Sequence, residues 1–177
     1  DVELDQLYQR IGTQVTLIQR SAHILSKSDA DLAQPLEQQF RDEGMTVYTQ
    51  TRLLKFTADG AGKKAHFIHE GAEKSVTGTV ILQAMGRVPN IQGLRLETAG
   101  VQTEQGRVKV DTAMRTSQAH IYAVGDVNGQ FEVVHIAIQQ GEIAGHNATH
   151  PGQPQQYMDE RLKTSVVLTD PQVASVG

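Results

Sequence analysis

Residues 116–126, Thr-Ser-Gln-Ala-His-Ile-Tyr-Ala-Val-Gly-Asp, followed by Val127-Asn128-Gly129, are the stretch on which the fold turns. The β-branched and aromatic run Ile121-Tyr122-Ala123-Val124 stops at Gly125-Asp126, and a new amphipathic segment begins near Val134-His135. This pattern predicts a buried parallel strand that presents one carboxylate at its carboxyl end, where open α/β sheets bind ligands. Gly125 lets the backbone turn and approach a ligand closely, and Asp126 can accept hydrogen bonds from sugar-type hydroxyls. A Gly-Asp after a strand is common by itself, since Asp often closes a strand-to-turn junction. The rest of the chain gives it weight.

Working outward, Val2, Leu4, Leu7, Tyr8 and Ile11 recur at helical spacing and Gly12 supplies a stop. Gln14 to Ile18 reads as a buried strand. Ser28 to Asp31 offers capping side chains for a second helix with Leu32, Leu36 and Phe40 on one stripe. Pro35 is compatible with it only if the helix starts at about Asp31. Gly44 ends that helix and Met45 to Thr49 forms a short strand. Between Arg52 and Thr77 the pattern changes to short runs separated by Asp-Gly-Ala-Gly and Glu-Gly-Ala-Glu turns, which predicts an antiparallel meander. Val80 to Ala84 reads as a return to a buried strand, Gln92 to Val110 as a polar excursion with a short strand at Val108 and Val110. A helix is expected from about His135 to Asn147, then a linker at His150 to Pro154. Thr164 to Leu168 begins β structure with no remaining chain to pair with.

Composition excludes several classes. The 177 residues carry 20 acidic and 16 basic side chains, net −4, with no basic block, so no nucleic-acid or membrane-surface partner is suggested. No apolar run reaches the roughly 18 residues of a membrane span. A hydrophobic fraction of 38% with 5% aromatics suits an α/β core of small aliphatics. The absence of cysteine removes any disulfide framework, is compatible with a cytoplasmic setting, and means that this chain's own side chains cannot exchange thiols. Asn147-Ala148-Thr149 matches a glycosylation acceptor without any secretory pattern to support it.

The Ile-Tyr-Ala-Val-Gly-Asp motif, preceded by Val80-Ile-Leu-Gln-Ala-Met-Gly-Arg-Val-Pro-Asn90, resembles the flavoprotein pyridine nucleotide-disulfide oxidoreductase family. That family includes dihydrolipoamide dehydrogenase, glutathione reductase and mercuric reductase. Glu3-Leu4 through Ile18 is similar to the helix and second strand of the family's nicotinamide-nucleotide domain. Residues 169–177, Thr-Asp-Pro-Gln-Val-Ala-Ser-Val-Gly, resemble the opening of its dimerisation domain. The resemblance implies an α/β, Rossmann-like FAD/NAD(P)-binding fold with a small antiparallel meander. It also implies an interior fragment, because the family's G-x-G-x-x-G motifs, C-x4-C pair and His–Glu pair have no counterpart here. The implied organisation is a NAD(P)-binding domain over 1–111, a returning FAD-domain segment over 112–150, and a linker with the start of the dimerisation domain over 151–177.

By the same resemblance Gly125 and Asp126 would hold the ribityl chain of FAD. The first amides of the next helix, at Val134, His135 and Ile136, would face the pyrimidine edge of the flavin, where a helix dipole stabilises negative charge. Gly141 and Gly145 share a face with Val134 and Ile138 and would allow close packing. Glu3 aligns with a glutamate that approaches the nicotinamide carboxamide, although a first-turn glutamate is also an ordinary helix feature. Asp1 and Asp5 depart from the small or apolar residues expected beside it. After the strand, Arg20 and Ser21 stand where an acidic residue would bind both ribose hydroxyls. They favour a 2′-phosphate and NADP(H), while Gln19 leaves NAD(H) open. Gly86 would allow close approach in a nucleotide cleft, and Arg87 would either contact phosphate or pair with a carboxylate.

The implied chemistry is hydride transfer from NAD(P)H to FAD and on to a disulfide-type acceptor, with no catalytic side chain in this chain itself. Rival readings are a flavoprotein of NADH oxidase or ferredoxin reductase type without a redox disulfide, and a non-catalytic nucleotide-binding module. A homo-oligomer or a swapped dimer is expected from the missing central strand. Glu142, His146 and His150, at i, i+4, i+8, can be imagined on a metal, but the helix end favours histidines for its dipole alone, and no metal is expected.

Overall fold

The structure, a computed structural model, describes residues 1–159, 161 and 163–176; Gly177, which closes the last of the motifs above, lies outside them. Two compact units partition the chain, one from Asp1–Ala84 with Val166–Ser175, the other from Met85–Ser165 with the end of the chain from Val176. Both mix helix with strand, and the α/β reading holds.

In the first unit, helix α1 (Val2–Arg10) leads to strand β1 (Thr16–Ile18), helix α2 (Ala30–Asp42) and strand β2 (Thr46–Tyr48). β1 and β2 run parallel with Thr16 opposite Thr46, which makes this a β-α-β unit. Its core is Ile24, Ala33, Leu36, Phe40, Met45, Val47 and Val173. On α2 the buried stripe is Ala33, Leu36 and Phe40: the expected Leu36 and Phe40 are in it, while Leu32 points outward at 39% exposure and Ala33 takes its place. Pro35 sits in the second turn rather than the first. The helix tolerates the lost N–H because burial of Leu36 and Phe40, about 1.5–3 kcal/mol each, holds the segment in place. Arg41 also ties α2 to β2 by donating to the Val47 carbonyl at 2.8 Å.

The expected meander is present as β3 (Arg52–Asp59), β4 (Gly62–His69) and β5 (Ala72–Gly78), in that order across the sheet. Glu70 and Gly71 both take positive φ, 53° and 76°, as a tight primed hairpin turn demands. One face buries Ala65 and Phe67, the latter against Tyr48 with ring centroids 5.1 Å apart. The other is a polar lattice: Thr57 on His66, and Thr77 donating to Asp59 beside Lys64. His66 and His69 project to opposite faces, His69 standing edge-on to Tyr48.

Val80–Ala84 is not a strand. It has no regular structure, is unpaired with β1 or β2, and leaves Val80 78% and Leu82 48% exposed. An apolar run becomes a strand only when a neighbouring backbone accepts and donates its ladder bonds, and none of the described residues does so here. Thr164–Leu168 shows the converse. Strand β8 (Thr164–Val167) does find a partner, strand β9 (Val173–Val176), which the sequence reading had not recognised as a strand.

α1 inverts its expected face. Leu7, Tyr8 and Ile11 are exposed, whereas Asp5 and Gln6 are buried. The reason is a polar clamp. Gln6 donates to the Asp170 carbonyl and accepts from the Asp170 amide, both at 2.8 Å, and donates to Glu43 at 3.1 Å. Arg10 bridges Glu43 at 2.6 Å and Asp170 at 2.8 Å. Gln39 adds a further donor to Glu43. The Arg10 guanidinium, helped by Gln39 and Gln6, holds the Glu43 carboxyl down at about 2. Asp5 has no such partners: burial pushes its carboxyl up, opposed by the terminal ammonium at 3.7 Å, and its Oδ2 makes no hydrogen bond.

The second unit contains β6 (Thr103–Glu104), β7 (Arg107–Val108) and the long helix α3 (Val134–Thr149). Its core is Met114, Ile136, Ile143, Ala144 and Met158, with Tyr122, Val124, Phe131 and Val133 around it. Ile121–Val124 is extended but only partly buried, and its sole strand-like pairing among the described residues is the antiparallel bridge Tyr122–Arg115. The expected buried parallel strand is therefore reduced to one bridge, again for want of a ladder partner. At the end of α3 the His146 and His150 rings stack 4.7 Å apart. Asn147 donates to the Ala113 and Gln156 carbonyls, so its side chain is committed to structure. Among the described residues no cluster of three or more His, Asp or Glu is placed to hold a metal, and no helix is long and apolar enough to cross a membrane.

Glu43 anchors the clamp, so Glu43→Ala should destabilise the first unit by about 2 kcal/mol at neutral pH, the scale of charge-assisted hydrogen bonds. A carboxyl depressed in the folded state stabilises above its unfolded value, near 4.5, and loses that contribution as pH falls toward about 2. The gap between wild type and Glu43→Ala in denaturant unfolding should therefore close across that window, and a gap independent of pH would contradict the clamp.

Candidate functional site

In the second unit the chain turns at Gly125, with φ +72°, into a 3-10 helix, Gly125–Asn128. A Cβ on Gly125 would lie 3.3 Å from the Ala137 Cβ, tighter than normal side-chain contact. Glycine is thus demanded twice, by the left-handed backbone and by the approach of α3. Asp126 follows with its side chain 42% exposed, and its carboxylate pairs with the Arg87 guanidinium. Of the two roles read for Arg87, the structure displays the carboxylate pair. Both partners are largely solvated, so the pair orients groups more than it stabilises the fold. Gly86 precedes it with φ +105° in open space.

The start of α3 carries free donors. Its first intrahelical bond runs from the Ala137 amide to the Val133 carbonyl, and Val133, at the N-cap, makes no side-chain capping bond. Among the described residues no acceptor takes up the amides of Val134, His135 and Ile136, and the positive end of the helix dipole lies behind them. Val134 is exposed at 76% and Ile136 buried at 2%. The His135 ring lies 3.0 Å from the Thr164 hydroxyl and 3.1 Å from its carbonyl, which gives the imidazole a local structural task. Gly141 and Gly145 meet nothing within 4 Å, and Ile138 is exposed, so this face of α3 is open.

Beneath the corner lies a pair of buried amides absent from the sequence reading. Gln140 Oε1 accepts from the Gly125 amide at 2.7 Å and from Asn128 Nδ2 at 3.0 Å. Gln140 is 1% and Asn128 2% exposed. The available signal was a polar residue set into the apolar Ile136–Ile143 stripe of α3.

The first unit holds an open cleft of roughly 350 Å³ lined by α1 residues Asp1, Val2 and Glu3, by Leu17 and Gln19 at the end of β1, and by Ile24, Leu25, Ser26 and Val167. Glu3 is not free: its carboxylate accepts from the Leu168 amide at 2.7 Å. Asp1 caps α1 by accepting from the Glu3 amide at 3.2 Å. Arg20 is exposed and has no partner among the described residues. Ser21 is half-buried, with its carbonyl accepting from the Gln50 amide at 2.8 Å. Glu3 and Gln19 thus share one cleft, with Arg20 and Ser21 next along the chain. Gly86, Arg87, Gly125, Asp126 and α3 gather in the second unit.

A β-α-β unit with a cleft at the carboxyl end of its strand, and a separate glycine corner carrying an aspartate, make this a Rossmann-like α/β protein. The pyridine nucleotide-disulphide oxidoreductase family model matches residues 2–141, and the chain belongs to that family. It is 32% identical over 176 residues to a mercuric reductase of Staphylococcus aureus, covering 99% of this chain and 32% of the relative. It is 31% identical over 171 residues to a dihydrolipoyl dehydrogenase of Bacillus subtilis, covering 97% of this chain and 36% of the relative. LpdA from Mycobacterium tuberculosis superposes with a TM-score of 0.88 at 33% identity, over 99% of this chain and 38% of that one. The Escherichia coli flavoprotein disulfide reductase RclA shares the fold, with a TM-score of 0.86 at 24% identity, over 99% of this chain and 40% of its own. The chain thus spans about a third of the length of the curated relatives it matches.

Two glycine substitutions separate the demands on this unit. Gly125→Ala should cost about 1–3 kcal/mol, because it combines positive φ with the Ala137 contact. Gly141→Ala, in a helix and in open space, should stabilise by roughly 0.5–1 kcal/mol. Equal and opposite shifts in thermal midpoint need not appear, but a neutral Gly125→Ala would refute the steric argument.

Proposed function

We propose that this chain forms the nicotinamide-facing and ribityl-facing parts of an FAD-dependent pyridine nucleotide-disulfide oxidoreductase of dihydrolipoamide dehydrogenase or mercuric reductase type. The observation that carries the reading is the Gly125–Asp126 corner set beside the uncapped amides of α3. The residues present suit FAD. A solvated carboxylate can accept from polyol hydroxyls, a β-carbon is excluded at Gly125, and free amides lie where an anionic ring edge would be welcome. When bound, FAD would supply the two-electron chemistry that links a nicotinamide to a thiol or disulfide acceptor. The chain's own part is positional and electrostatic. Asp126 holds hydroxyls, Arg87 steadies Asp126, and the helix dipole of α3 favours negative charge at its start.

Glu3 and the cleft beside β1 are read as the nicotinamide-nucleotide side. Leu168 holds the Glu3 carboxylate by its amide and leaves its second oxygen to accept from a carboxamide. Arg20, exposed and without a partner among the described residues, supports NADP(H) over NAD(H), because a guanidinium binds a 2′-phosphate and an acidic residue is lacking.

Two measurements test the reading on the protein at its natural full length. Asp126→Asn should weaken FAD binding at least 10-fold, since hydrogen bonds to a charged acceptor contribute about 1.5–3 kcal/mol. An unchanged FAD affinity would remove the corner from the site. Arg20→Gln should weaken NADPH binding about 10-fold and leave NADH within twofold. Equal effects on both nucleotides would end the NADP(H) preference.

A further inference from the structure

Among the described residues no neighbouring strand holds the corner that presents Asp126, and the structure shows what holds it instead. Gly125 and Asn128 are the first and last residues of the 3-10 helix, and both donate to one atom, Gln140 Oε1, at 2.7 and 3.0 Å. Asn128 Nδ2 also donates to the Ala123 carbonyl at 3.2 Å, and Asn128 Oδ1 accepts from the Gln130 amide at 3.0 Å. The Gln140 amide group in turn donates to Gln130 Oε1 at 3.4 Å. Every bond in this set crosses between the turn and the middle of α3 or locks the turn on itself. The two amide side chains are almost wholly buried, so their bonds act in a low dielectric and an orphaned partner there is costly.

Gln140 lies four residues beyond Ile136, on the same helix face and one turn past the free amides of Val134, His135 and Ile136. Gln140 therefore ties the turn that carries Asp126 to the helix that carries those amides. We infer that Gln140, seconded by Asn128, is a positioning residue that fixes the Gly125–Asp126 turn against the start of α3. It thereby sets the spacing between the carboxylate that holds a polyol and the helix amides that face a flavin ring. This rests on the FAD reading above and deepens it.

Gln140→Met keeps the volume and removes the acceptor. Ile143→Ala destabilises the same core without touching the turn and controls for stability alone. Hydrogen exchange by NMR reads the turn without any cofactor. In Gln140→Met the Gly125 amide should exchange at least 10-fold faster, while the Ile143 and Ala144 amides of α3 keep their wild-type rates. In the protein at natural full length, Gln140→Met should raise the FAD dissociation constant about 10-fold and Ile143→Ala by less than twofold. Unchanged Gly125 exchange overturns the inference. So does an FAD constant that moves equally in both variants, or one that moves only in Asp126→Asn. If Asp126→Asn and Gln140→Met both leave FAD binding intact, the FAD reading itself fails and takes the inference with it, although accelerated exchange would still show the hydrogen bond.

Discussion

A buried backbone amide must find an acceptor, and the way this chain meets that demand organises everything else in it. Where a second strand answers, as β2 answers β1 and as β4 answers both β3 and β5, regular sheet forms. Where none answers among the described residues, a segment with the composition of a strand takes no regular structure, as at Val80–Ala84, or keeps a single bridge, as at Tyr122. At Gly125 the acceptor is a side chain. Gln140 takes the place of a ladder, and the turn that carries Asp126 is held by helix α3 rather than by a sheet.

The same demand explains the reversed face of α1. Asp170 offers a backbone amide and a carbonyl, and a carboxamide, with a donor and an acceptor side by side, can serve both at once. Gln6 does so, and Arg10 and Glu43 enclose the pair in charge. The apolar residues Leu7 and Ile11 are left outward because the opposite side of the helix is occupied by this clamp. Val173, a few residues beyond Asp170, then joins the core of α2. Polar bonding thus decides where an apolar segment is buried.

The site has a comparable logic. A carboxylate and a set of uncapped amides have opposite appetites, one for hydroxyl donors and the other for negative charge. A ligand with a polyol beside an electron-accepting ring satisfies both, provided their spacing is fixed. The spacing depends on glycine at 125, which lets the turn approach Ala137, and on the buried amides beneath it. Arg87 adds an orienting charge on the exposed side. Family membership is established over residues 2–141.

From the sequence alone the family, the α/β class, the β-α-β unit, the meander and the Gly125–Asp126 corner were legible. Each is written in local chemistry: a glycine where φ must be positive, turn residues between alternating runs, an apolar period of helix or strand. Three things needed the tertiary structure. The strand status of Val80–Ala84 and Ile121–Val124 depends on a partner backbone, which no local pattern encodes. The burial of Gln6 rather than Leu7 depends on Asp170, 164 residues away. The role of Gln140 depends on a turn 15 residues earlier in the chain. Local sequence specifies what a segment can become, because conformational preference acts within a few residues; which polar group meets which is decided only when distant segments are brought within hydrogen-bonding reach.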